Sequence, residues 1–599
     1  MNEFDWLALG QSSVLLSKLE GVELLGDWEP AAPDKVWMLP LRLMLLGAEP
    51  SEKIPVISHW AVVINFKDDA WGKVQVHPSL GPEGLSSTFA HQQYNGGPHP
   101  QWPVRNGHIC SLTEMHGLAT SRNAVESEPV FTTERIVWHV ERTQEWLQAA
   151  AADKLVKAGD PFELPDFGIF PAGKSETLAY YEDAISFGHW RNSSEYAGIA
   201  SISEINNTKV IRQFKDRRSQ EIMYEPSWGT YIKQLPARQS AIWLRLDEIP
   251  VLNVWQVPTT FAQLTDVLAQ QGKKLEELLR PLLPRLQATG EWLLFLGIPI
   301  PKRVPENPYR YHWQALVLSP MSKNIPLQSR INMTLGRLHS SSDIPWISRG
   351  ENWHPENLQS RGRVDSSLQE AKVLLIGAGA LGANLAELLV RMGVCHLTIV
   401  DCDQLEAGNL VRHPLDLAQL NMYKAQAIAE RLNRSNPSAQ IHGLTFSVPA
   451  KGDLFAEAVK SATLILDVTA SDGVLRELPL QGLSPQAVII TLSLGLHAQR
   501  LFFYADQAVN FDFRAFEEWF WPFREEEHQA AQQQEMPRGI GCWHPLTPAR
   551  LNRIVGLAGV GIELIEQVCV GETSLPIGYC HLWQVPELKL ILKEEVEVA

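Results

Sequence analysis

The chain has 599 residues, of which 45% are hydrophobic and 20% are charged, and its formal net charge is −16. This length exceeds what one hydrophobic core usually serves, so we expect roughly two to four domains. The acidic balance argues against a general nucleic-acid binder, because neutralising phosphates requires a basic surface.

Neither a secretion signal nor a membrane span is visible in the sequence. The first residues, MNEFDWLALG, are acidic and lack a basic segment followed by an apolar run. The longest apolar stretches, such as EWLLFLGIPIP, are short and contain proline. We therefore expect a cytoplasmic protein.

The first region, residues 1–165, is predicted to be an α+β domain. Three strand-like runs, KVWMLPLRLML, HWAVVINF and KVQVHPS, are separated by turn residues, a pattern typical of an antiparallel meander. A loop rich in glycine, proline, histidine and asparagine then leads to Cys110. After this loop, apolar residues recur near helical spacing from Ile136 to Leu155. The pattern places Cys110 between a small sheet and a helix, and it leaves open whether Cys110 is a core thiol or a nucleophile.

The second region, residues 166–350, mixes strand patterns such as SAIWLRL with helix patterns such as TTFAQLTDVLAQQG. It contains no recognisable catalytic constellation. The run from Ser340 to Arg363 is polar and rich in turn residues, which marks a domain boundary. We expect an α/β linker or interaction domain.

The third region, residues 351–599, starts with a strand, a glycine turn, a helix and a second strand. Gly377, Gly379 and Gly382 form a G-x-G-x-x-G motif directly after the apolar run KVLLI. Such glycines allow a tight turn, the approach of a phosphate to the backbone, and close packing of helix on strand. Asp401 ends the next strand, where a carboxylate can bind a ribose hydroxyl. This pattern predicts a Rossmann-like nucleotide site, and both NAD and ATP fit it.

The residues that follow Asp401 favour ATP. Asn409 and Arg412 come just after the strand, and Lys424 opens the next predicted helix. An adenylating enzyme needs such groups to hold a triphosphate and to stabilise charge as an acyl oxygen attacks the α-phosphate. Asp467 ends a later apolar strand, where a carboxylate can hold Mg²⁺ near the phosphates. The alternatives for these residues are caps and solvated surface charges.

Together, the segments GAGALG, DCD, GNLVRH and LDVTAS, with Lys424, resemble the ThiF/MoeB and ubiquitin-activating superfamily. The resemblance is close from Leu368 to Pro437 and extends to Asp467. It implies ATP-dependent adenylation of a protein's C-terminal carboxylate, in a homodimer. It implies catalytic roles for Arg412 and Asp467, with Asp467 supporting the metal, and contact between Asp401 and the ribose. The nucleotide-binding residues that it implies are Gly377, Gly379, Gly382, Asp401, Asp403, Asn409, Arg412 and Lys424.

Two features depart from that superfamily. The segment NLVRH stands where many relatives have N-L-x-R-Q, and the paired C-x-x-C zinc motifs are absent. A missing zinc site removes a stabilising element but no catalytic group.

The cysteines divide into one candidate acyl carrier in the third region and several structural residues. Cys542 is the candidate to take the acyl group from the adenylate, because the run before it, EEEHQAAQQQEMPRGIG, is polar and is predicted to be a mobile loop. Arg538 and His544 would favour its thiolate, whereas the alternative is a buried cysteine beside Trp543. The cysteines predicted to be small core residues are Cys395, Cys402, Cys569 and Cys580.

The segment GHICSL around Cys110 resembles the catalytic segment of ubiquitin-conjugating enzymes, and VQVHPS resembles their His-Pro element. Ser79 stands where that element usually has asparagine. Asn106, His108 and backbone N–H groups are therefore the candidates to stabilise an oxyanion.

The order of these modules resembles the fused conjugation proteins of bacterial CBASS antiphage operons. That resemblance implies a ligase that uses ATP and Mg²⁺ to activate the C-terminus of a CD-NTase, a cGAS-like nucleotidyltransferase. The acyl group would be carried as a thioester on Cys542 and then on Cys110, before transfer to a lysine of a target protein. The alternatives are a sulfur-carrier adenylyltransferase, an NAD-binding oxidoreductase and a non-catalytic scaffold.

Overall fold

The computed structural model describes residues 3–32, 35–67, 69–110, 128–167, 176–320, 325–448, 453–533, 548–584 and 589–597. The chain forms two compact units, of which the first comprises residues 1–225 and 237–352 and the second comprises residues 226–236 and 353–599. In the described part of the chain, no helix combines the length and the apolar character needed to cross a membrane.

The first sheet of unit 1 has five antiparallel strands, which confirms the predicted meander. Its main core combines apolar side chains from one face of the sheet with Ile136, Val140 and Leu147 of the long helix α2, and a smaller apolar cluster lies on the other face. The predicted helix after Cys110 is thus confirmed, since its apolar stripe covers the sheet. The elements are α1 (Glu3–Leu16), β1 (Val22–Leu24), β2 (Glu29–Ala32), β3 (Val36–Met44), β4 (Ile57–Asn65), β5 (Lys73–Pro78) and α2 (Thr132–Ala151).

The second sheet of unit 1 has eight strands in the order β12-β11-β10-β7-β8-β6-β13, with β9 paired to β8. The sheet contains both parallel and antiparallel pairs, and separate apolar cores lie on its two faces. The strands are β6 (Thr177–Tyr180), β7 (Ala197–Ile205), β8 (Thr208–Asp216), β9 (Ile222–Tyr224), β10 (Gln239–Arg245), β11 (Trp292–Ile300), β12 (Arg310–Ser319) and β13 (Arg349–Asn352).

The helices around this sheet include the predicted one in TTFAQLTDVLAQQG. It begins after Thr260, whose hydroxyl accepts a hydrogen bond from the backbone N–H of Gln263 in a capping box. The helices of the second region are α3 (Ala184–Asn192), α4 (Thr230–Gln234), α5 (Phe261–Gln270), α6 (Leu275–Leu279), the 3₁₀ turn Leu283–Arg285, and α7 (Leu327–Arg337).

A short segment of the second region, residues 226–236, belongs to unit 2 rather than unit 1. The backbone N–H groups of Gly229 and Thr230 donate to the carbonyls of Pro437 and Ala439, at 2.7 and 2.8 Å. A Cβ at Gly229 would lie 2.4 Å from the Ala439 carbonyl oxygen, so only glycine allows this approach. The helix α4 is therefore fixed to unit 2 by backbone contacts that the sequence pattern does not reveal.

The sheet of unit 2 has eight strands in the order β16-β15-β14-β17-β18-β19-β20-β21. The first five strands in this order are parallel, and the others pair antiparallel. Its strands are β14 (Val373–Ile376), β15 (His396–Val400), β16 (Gln440–Leu444), β17 (Leu464–Asp467), β18 (Val488–Leu494), β19 (Arg500–Gln507), β20 (Ile577–Gln584) and β21 (Lys589–Glu597).

Helices flank this sheet, which confirms the predicted Rossmann-like class of the third region. They are α8 (Pro355–Leu358), α9 (Ser366–Gln369), α10 (Ala380–Arg391), α11 (Lys424–Ser435), α12 (Asp453–Ser461), α13 (Asp472–Glu477), α14 (Phe513–Gln532) and α15 (Leu551–Val570), with 3₁₀ turns at Ala407–Asn409, Leu417–Gln419 and Leu478–Gln481. Within the sheet, β15 and β16 lie on one side of β14, and β17, the next strand in the chain, lies on the other side of β14. The strand order therefore reverses at β14, and this fold class binds ligands at such a switch point.

Candidate active site

A cavity of about 320 Å³ lies at the carboxyl ends of the central parallel strands of unit 2. The strand register brings the ends together, because Ile376 pairs with both Val400 and Asp467. The cavity wall combines the glycine loop, the DCD segment and the segments that follow β16 and β17. Its lining residues are Ile376, Gly377, Gly379, Val400, Asp401, Cys402, Asp403, Phe446, Ser447, Val448, Val468, Thr469 and Val474.

The three glycines of the motif have different local requirements. Gly377 has a φ of +99°, a backbone conformation that residues with a side chain rarely adopt. A Cβ at Gly382 would lie 1.9 Å from the Gly377 carbonyl oxygen, so the third glycine is needed for the turn itself. Gly379 has open space where a Cβ would stand, and it lines the cavity. These environments match a turn, a packing contact and a surface open to a ligand.

Asp401 is fixed to the glycine loop. Its Oδ2 accepts a hydrogen bond from the backbone N–H of Ala378 at 2.6 Å, and its Oδ1 accepts one from the N–H of Asp403 at 2.8 Å. A carboxylate held by two backbone donors has a defined orientation at the cavity wall. This geometry suits the ribose contact that the sequence predicts.

Asp403 and Lys424 form an ion pair beside the cavity. The Lys424 Nζ lies 3.0 Å from Oδ2 of Asp403, and the Lys424 backbone N–H donates to the Asp403 carbonyl oxygen at 2.9 Å. Asp403 is 65% exposed and lines the cavity, whereas the lysine side chain is 9% exposed and lies behind it. Lys424 opens helix α11, as predicted, and its charge is held within reach of the cavity wall by its partner.

Asn409 ends the 3₁₀ turn after β15 and Arg412 lies in the turn that follows, and both residues are outside the wall of the cavity. The Asn409 Oδ1 accepts a hydrogen bond from the backbone N–H of Glu406 at 3.1 Å, which closes a capping box. The Arg412 carbonyl oxygen accepts a bond from Nδ2 of Asn384 at 3.3 Å. The structure therefore brings Gly377, Gly379, Asp401 and Asp403 to the cavity but leaves Asn409 and Arg412 beyond it.

Asp467 does not fit the metal-binding role that the sequence predicts. It is 1% exposed. Its Oδ1 accepts hydrogen bonds from the Thr469 hydroxyl at 2.7 Å and the Thr469 N–H at 3.2 Å, while the Thr491 hydroxyl donates to Oδ2 at 3.1 Å. Burial raises the pKa of the Asp467 carboxyl. Asp467 therefore braces Thr469, which does line the cavity, and we derive no step through a metal at this carboxylate.

The prediction that Cys402 is a small core residue is wrong. Cys402 is exposed and lines the cavity, because it lies two residues beyond the last residue of β15 at the open end of the sheet. Cys580 is buried, as predicted, and burial raises the pKa of Cys395 and Cys569 to about 11. Sequence reasoning also missed Phe446, Ser447 and Val448, whose position two residues after β16 places them in the same wall.

Cys110 is exposed at the end of a segment that runs beside β5. The backbone N–H groups of Arg105 and Ile109 donate to the carbonyls of Pro78 and Val76, each at 3.1 Å, and the Cys110 N–H donates to the His91 carbonyl at 2.9 Å. The exposure argues against the alternative of a core thiol. The chain thus presents Cys110 at the surface on a backbone that is held by several hydrogen bonds.

Burial lowers the pKa of two histidines near Cys110, His77 and His108. His77 is buried with its Nδ1 3.0 Å from the Arg105 carbonyl, and burial lowers its pKa to about 3. Burial also lowers the pKa of His108 to about 4. Asn106 is buried, and the Ser79 hydroxyl accepts a bond from the N–H of Gly81 at 3.2 Å. None of these contacts selects one group for an oxyanion.

Cys542, Arg538 and His544 lie outside the described residues. The sequence predicts a loop for the run before Cys542, but the first part of this run is helical, because helix α14 continues to Gln532. Glutamate, glutamine and alanine are good helix formers, and Phe516, Trp519 and Phe523 provide a buried stripe that continues the helix from its start.

Comparison with known proteins agrees with this geometry. A family model described as the Cap2 central linker domain matches residues 153–353, and a model of the ThiF family matches residues 357–474. The ATP-dependent ubiquitin transferase-like protein Cap2 of Enterobacter hormaechei subsp. hoffmannii (strain UCI 50) is 30% identical over 557 residues, which cover 89% of this chain and 90% of that protein. The chain belongs to the Cap2 family.

Other relatives match shorter stretches of this Cap2 family member. The sulfur carrier protein ThiS adenylyltransferase of Bacillus subtilis (strain 168) is 41% identical over 103 residues, 17% of this chain and 30% of that protein. The ubiquitin-like modifier-activating enzyme ATG7 of Mus musculus is 41% identical over 85 residues, 14% of this chain and 12% of that protein. These are adenylyltransferases and activating enzymes, so the family is one of enzymes of this kind.

Proposed function

We propose that the protein is an ATP-dependent ligase that activates the C-terminal carboxylate of a partner protein and transfers it to an amine. The observation that carries the proposal is the 30% identity to an ATP-dependent ubiquitin transferase-like protein, in an alignment that covers 90% of that protein. In this chain the glycine loop and Asp401 form one cavity wall. ATP binds with its ribose at Asp401 and its phosphates at the glycine loop.

In the first step, a carboxylate oxygen of the partner attacks the α-phosphorus of ATP, an acyl adenylate forms, and pyrophosphate leaves. Lys424 stabilises the negative charge of the phosphates, which requires its Nζ to exchange the Asp403 contact for a phosphate oxygen. Arg412 adds a second positive charge only if its side chain moves to the phosphates from its place outside the cavity wall. Mg²⁺ bound to the phosphates of ATP would supply positive charge there, and we assign it no ligand from this chain. Asp467 acts indirectly, because it orients Thr469.

In the following steps, the Cys542 thiolate attacks the acyl carbon and releases AMP. The Cys110 thiolate then attacks that thioester and releases Cys542, and a lysine amine of the target attacks the second thioester, so that an amide forms and Cys110 leaves as the thiol. The exposure of Cys110 supports this role, since both partners must reach its sulfur. In this proposal residues 1–165 form a ubiquitin-conjugating-like domain, residues 166–350 a linker domain, and residues 351–599 the adenylation domain.

We further propose a CD-NTase as the partner protein, a homodimer as the assembly, antiphage signalling as the biological context and the cytoplasm as the location. The experiment that tests the activity is intact mass spectrometry of the purified protein with ATP, Mg²⁺ and the nucleotidyltransferase. We expect an ATP-dependent adduct that thiols remove, together with pyrophosphate exchange that depends on the partner's C-terminus. NAD binding without ATP turnover would contradict the proposal.

Two cysteine variants test the order of the carriers. Cys542→Ala should keep pyrophosphate exchange but lose every thioester, and Cys110→Ala should accumulate the adduct on Cys542 without forming conjugate. Cys569→Ala is the control, because burial keeps that thiol protonated and it should behave as the wild type. A thiol-sensitive adduct on Cys110 in the Cys542→Ala protein would contradict the proposed order.

The second candidate is a sulfur-carrier adenylyltransferase, which is favoured by the 41% identity to the Bacillus subtilis enzyme over 103 residues of this chain. Such an enzyme would need the cavity but not Cys110. Normal formation of an adenylated carrier protein by the Cys110→Ala protein would therefore support this alternative.

A further inference from the structure

His91 connects Cys110 to two other segments of unit 1. Its carbonyl oxygen accepts the hydrogen bond from the Cys110 N–H at 2.9 Å. Its backbone N–H faces Oε2 of Glu163 at 3.2 Å. The φ of His91 is +56°, a left-handed conformation that costs free energy for a residue with a Cβ. Contacts from the side chain must therefore hold the backbone that anchors Cys110.

Both ring nitrogens of His91 face acceptors. The Nδ1 lies 2.7 Å from Oε2 of Glu163, and the Nε2 lies 3.1 Å from the carbonyl oxygen of Leu155, just beyond helix α2. A neutral imidazole carries one N–H and can donate to only one of them. Both contacts are satisfied together only when the ring is an imidazolium ion.

The surrounding charges favour that ion. Glu163 is the carboxylate in contact, and Asp160 adds a second negative charge nearby, so the pKa of His91 is raised from its ordinary value although partial burial opposes the shift. The ring and the carboxylate are both partly exposed, at 46% and 42%, so protons exchange freely with solvent.

We propose that His91 is a positioning residue for acyl transfer from Cys110, and that it acts as an imidazolium ion clamped between Glu163 and the Leu155 carbonyl. The charged ring fixes the left-handed backbone, and the His91 carbonyl in turn fixes the amide of Cys110. This inference rests on the proposed role of Cys110. Loss of the proton frees one ring contact, and the cysteine segment loses a fixed anchor.

The test uses the full-length protein loaded with ATP, Mg²⁺ and the nucleotidyltransferase, and it follows the discharge of the Cys110 thioester to free lysine. In Glu163→Gln and His91→Gln we expect slower discharge by about tenfold, because misplacement of a reacting group is costly. Adenylation and the Cys542 thioester should be unchanged. Glu83→Gln is the matched control, since Glu83 contacts His59 at 2.9 Å in another histidine–carboxylate pair of the same domain, and it should discharge at the wild-type rate.

The pH profile separates this role from a merely structural one. Without the Glu163 carboxylate, we expect His91 to be charged only below the ordinary histidine pKa of about 6.5. In the wild type, His91 stays charged up to its raised pKa, and above that pKa it is neutral in both proteins. The ratio of the wild-type discharge rate to the Glu163→Gln discharge rate should therefore be highest at pH values between these two pKa values. Both rates increase with pH as the free lysine loses its proton, and this common increase cancels in the ratio. The melting temperature of each variant is measured alongside.

Two outcomes overturn the inference. Equal discharge rates for Glu163→Gln and Glu83→Gln, or a ratio that does not vary with pH, would remove His91 from the transfer step while leaving the proposed function intact. A wild-type protein that never carries a thioester on Cys110 would overturn the proposed function and this inference with it.

Discussion

The backbone N–H of Ala378, inside the glycine loop, donates a hydrogen bond of 2.6 Å to Oδ2 of Asp401 at the end of β15. One carboxylate therefore both shapes the loop that faces the phosphates and borders the ribose position. A hydrogen bond to a charged group contributes about 1.5–3 kcal/mol, which corresponds to roughly tenfold to hundredfold in binding.

We predict that Asp401→Ala lowers partner-dependent pyrophosphate exchange by at least about tenfold through weaker ATP binding. Asp416→Ala is the control, because Asp416 also accepts a bond from a backbone N–H, that of Ala418, but it caps a 3₁₀ turn outside the cavity. Equal ATP affinity for the two variants, measured by calorimetry, would show that Asp401 has no part in the nucleotide site.

Alanine substitutions at two glycines of the loop should have separate effects, one on the stability of the fold and the other on ATP affinity. In Gly382→Ala the new Cβ would lie 1.9 Å from the Gly377 carbonyl oxygen, so we predict a loss of about 3 kcal/mol in the free energy of unfolding. In Gly379→Ala the backbone is compatible, with a φ of −73°, and the methyl group enters the open cavity. Thermal unfolding should be unchanged there while ATP affinity falls, and a destabilised Gly379→Ala protein would contradict this division.

The ion pair of Lys424 and Asp403 allows two roles of the lysine to be distinguished. Lys424→Met and Asp403→Asn both remove the pair, but only the first removes a cation from the phosphates. We predict a fall of about a hundredfold in pyrophosphate exchange for Lys424→Met, as for a lost donor to a developing charge, and less than about tenfold for Asp403→Asn. Equal losses in both variants would mean that Lys424 serves the ion pair alone.

The sequence predicts the central strands of unit 2 and the loop because apolar runs and glycine spacing are local signals. It places Asp467 at a strand end correctly but cannot tell which way the side chain faces, and Thr469 and Thr491 hold it inside. The same limit explains Cys402, whose position beside Asp401 decides its exposure. The His91 contact with Glu163 joins distant segments, and no periodicity encodes such a pairing.

Glu182, which follows β6, is a buried carboxylate with a complete set of donors. Its Oε1 accepts hydrogen bonds from the indole N–H groups of Trp190 at 2.9 Å and Trp313 at 2.8 Å, and the Ser186 hydroxyl donates to Oε2. Burial raises the pKa of Glu182 to about 7. The native state therefore holds a proton that the unfolded chain releases near its ordinary pKa of 4.5.

Because the folded pKa is raised, the stability of unit 1 should fall as the pH rises from 4.5 to about 7, by an amount on the order of 3 kcal/mol. Glu182→Gln should abolish this dependence and keep the fold, since the amide oxygen can accept from both indoles and the amide N–H can donate to Ser186. Denaturant unfolding followed by tryptophan fluorescence measures the difference between variant and wild type at each pH. Glu204→Gln, at an exposed position of β7, is the control and should keep the wild-type pH dependence, whereas a wild-type dependence in Glu182→Gln would assign the proton to another group.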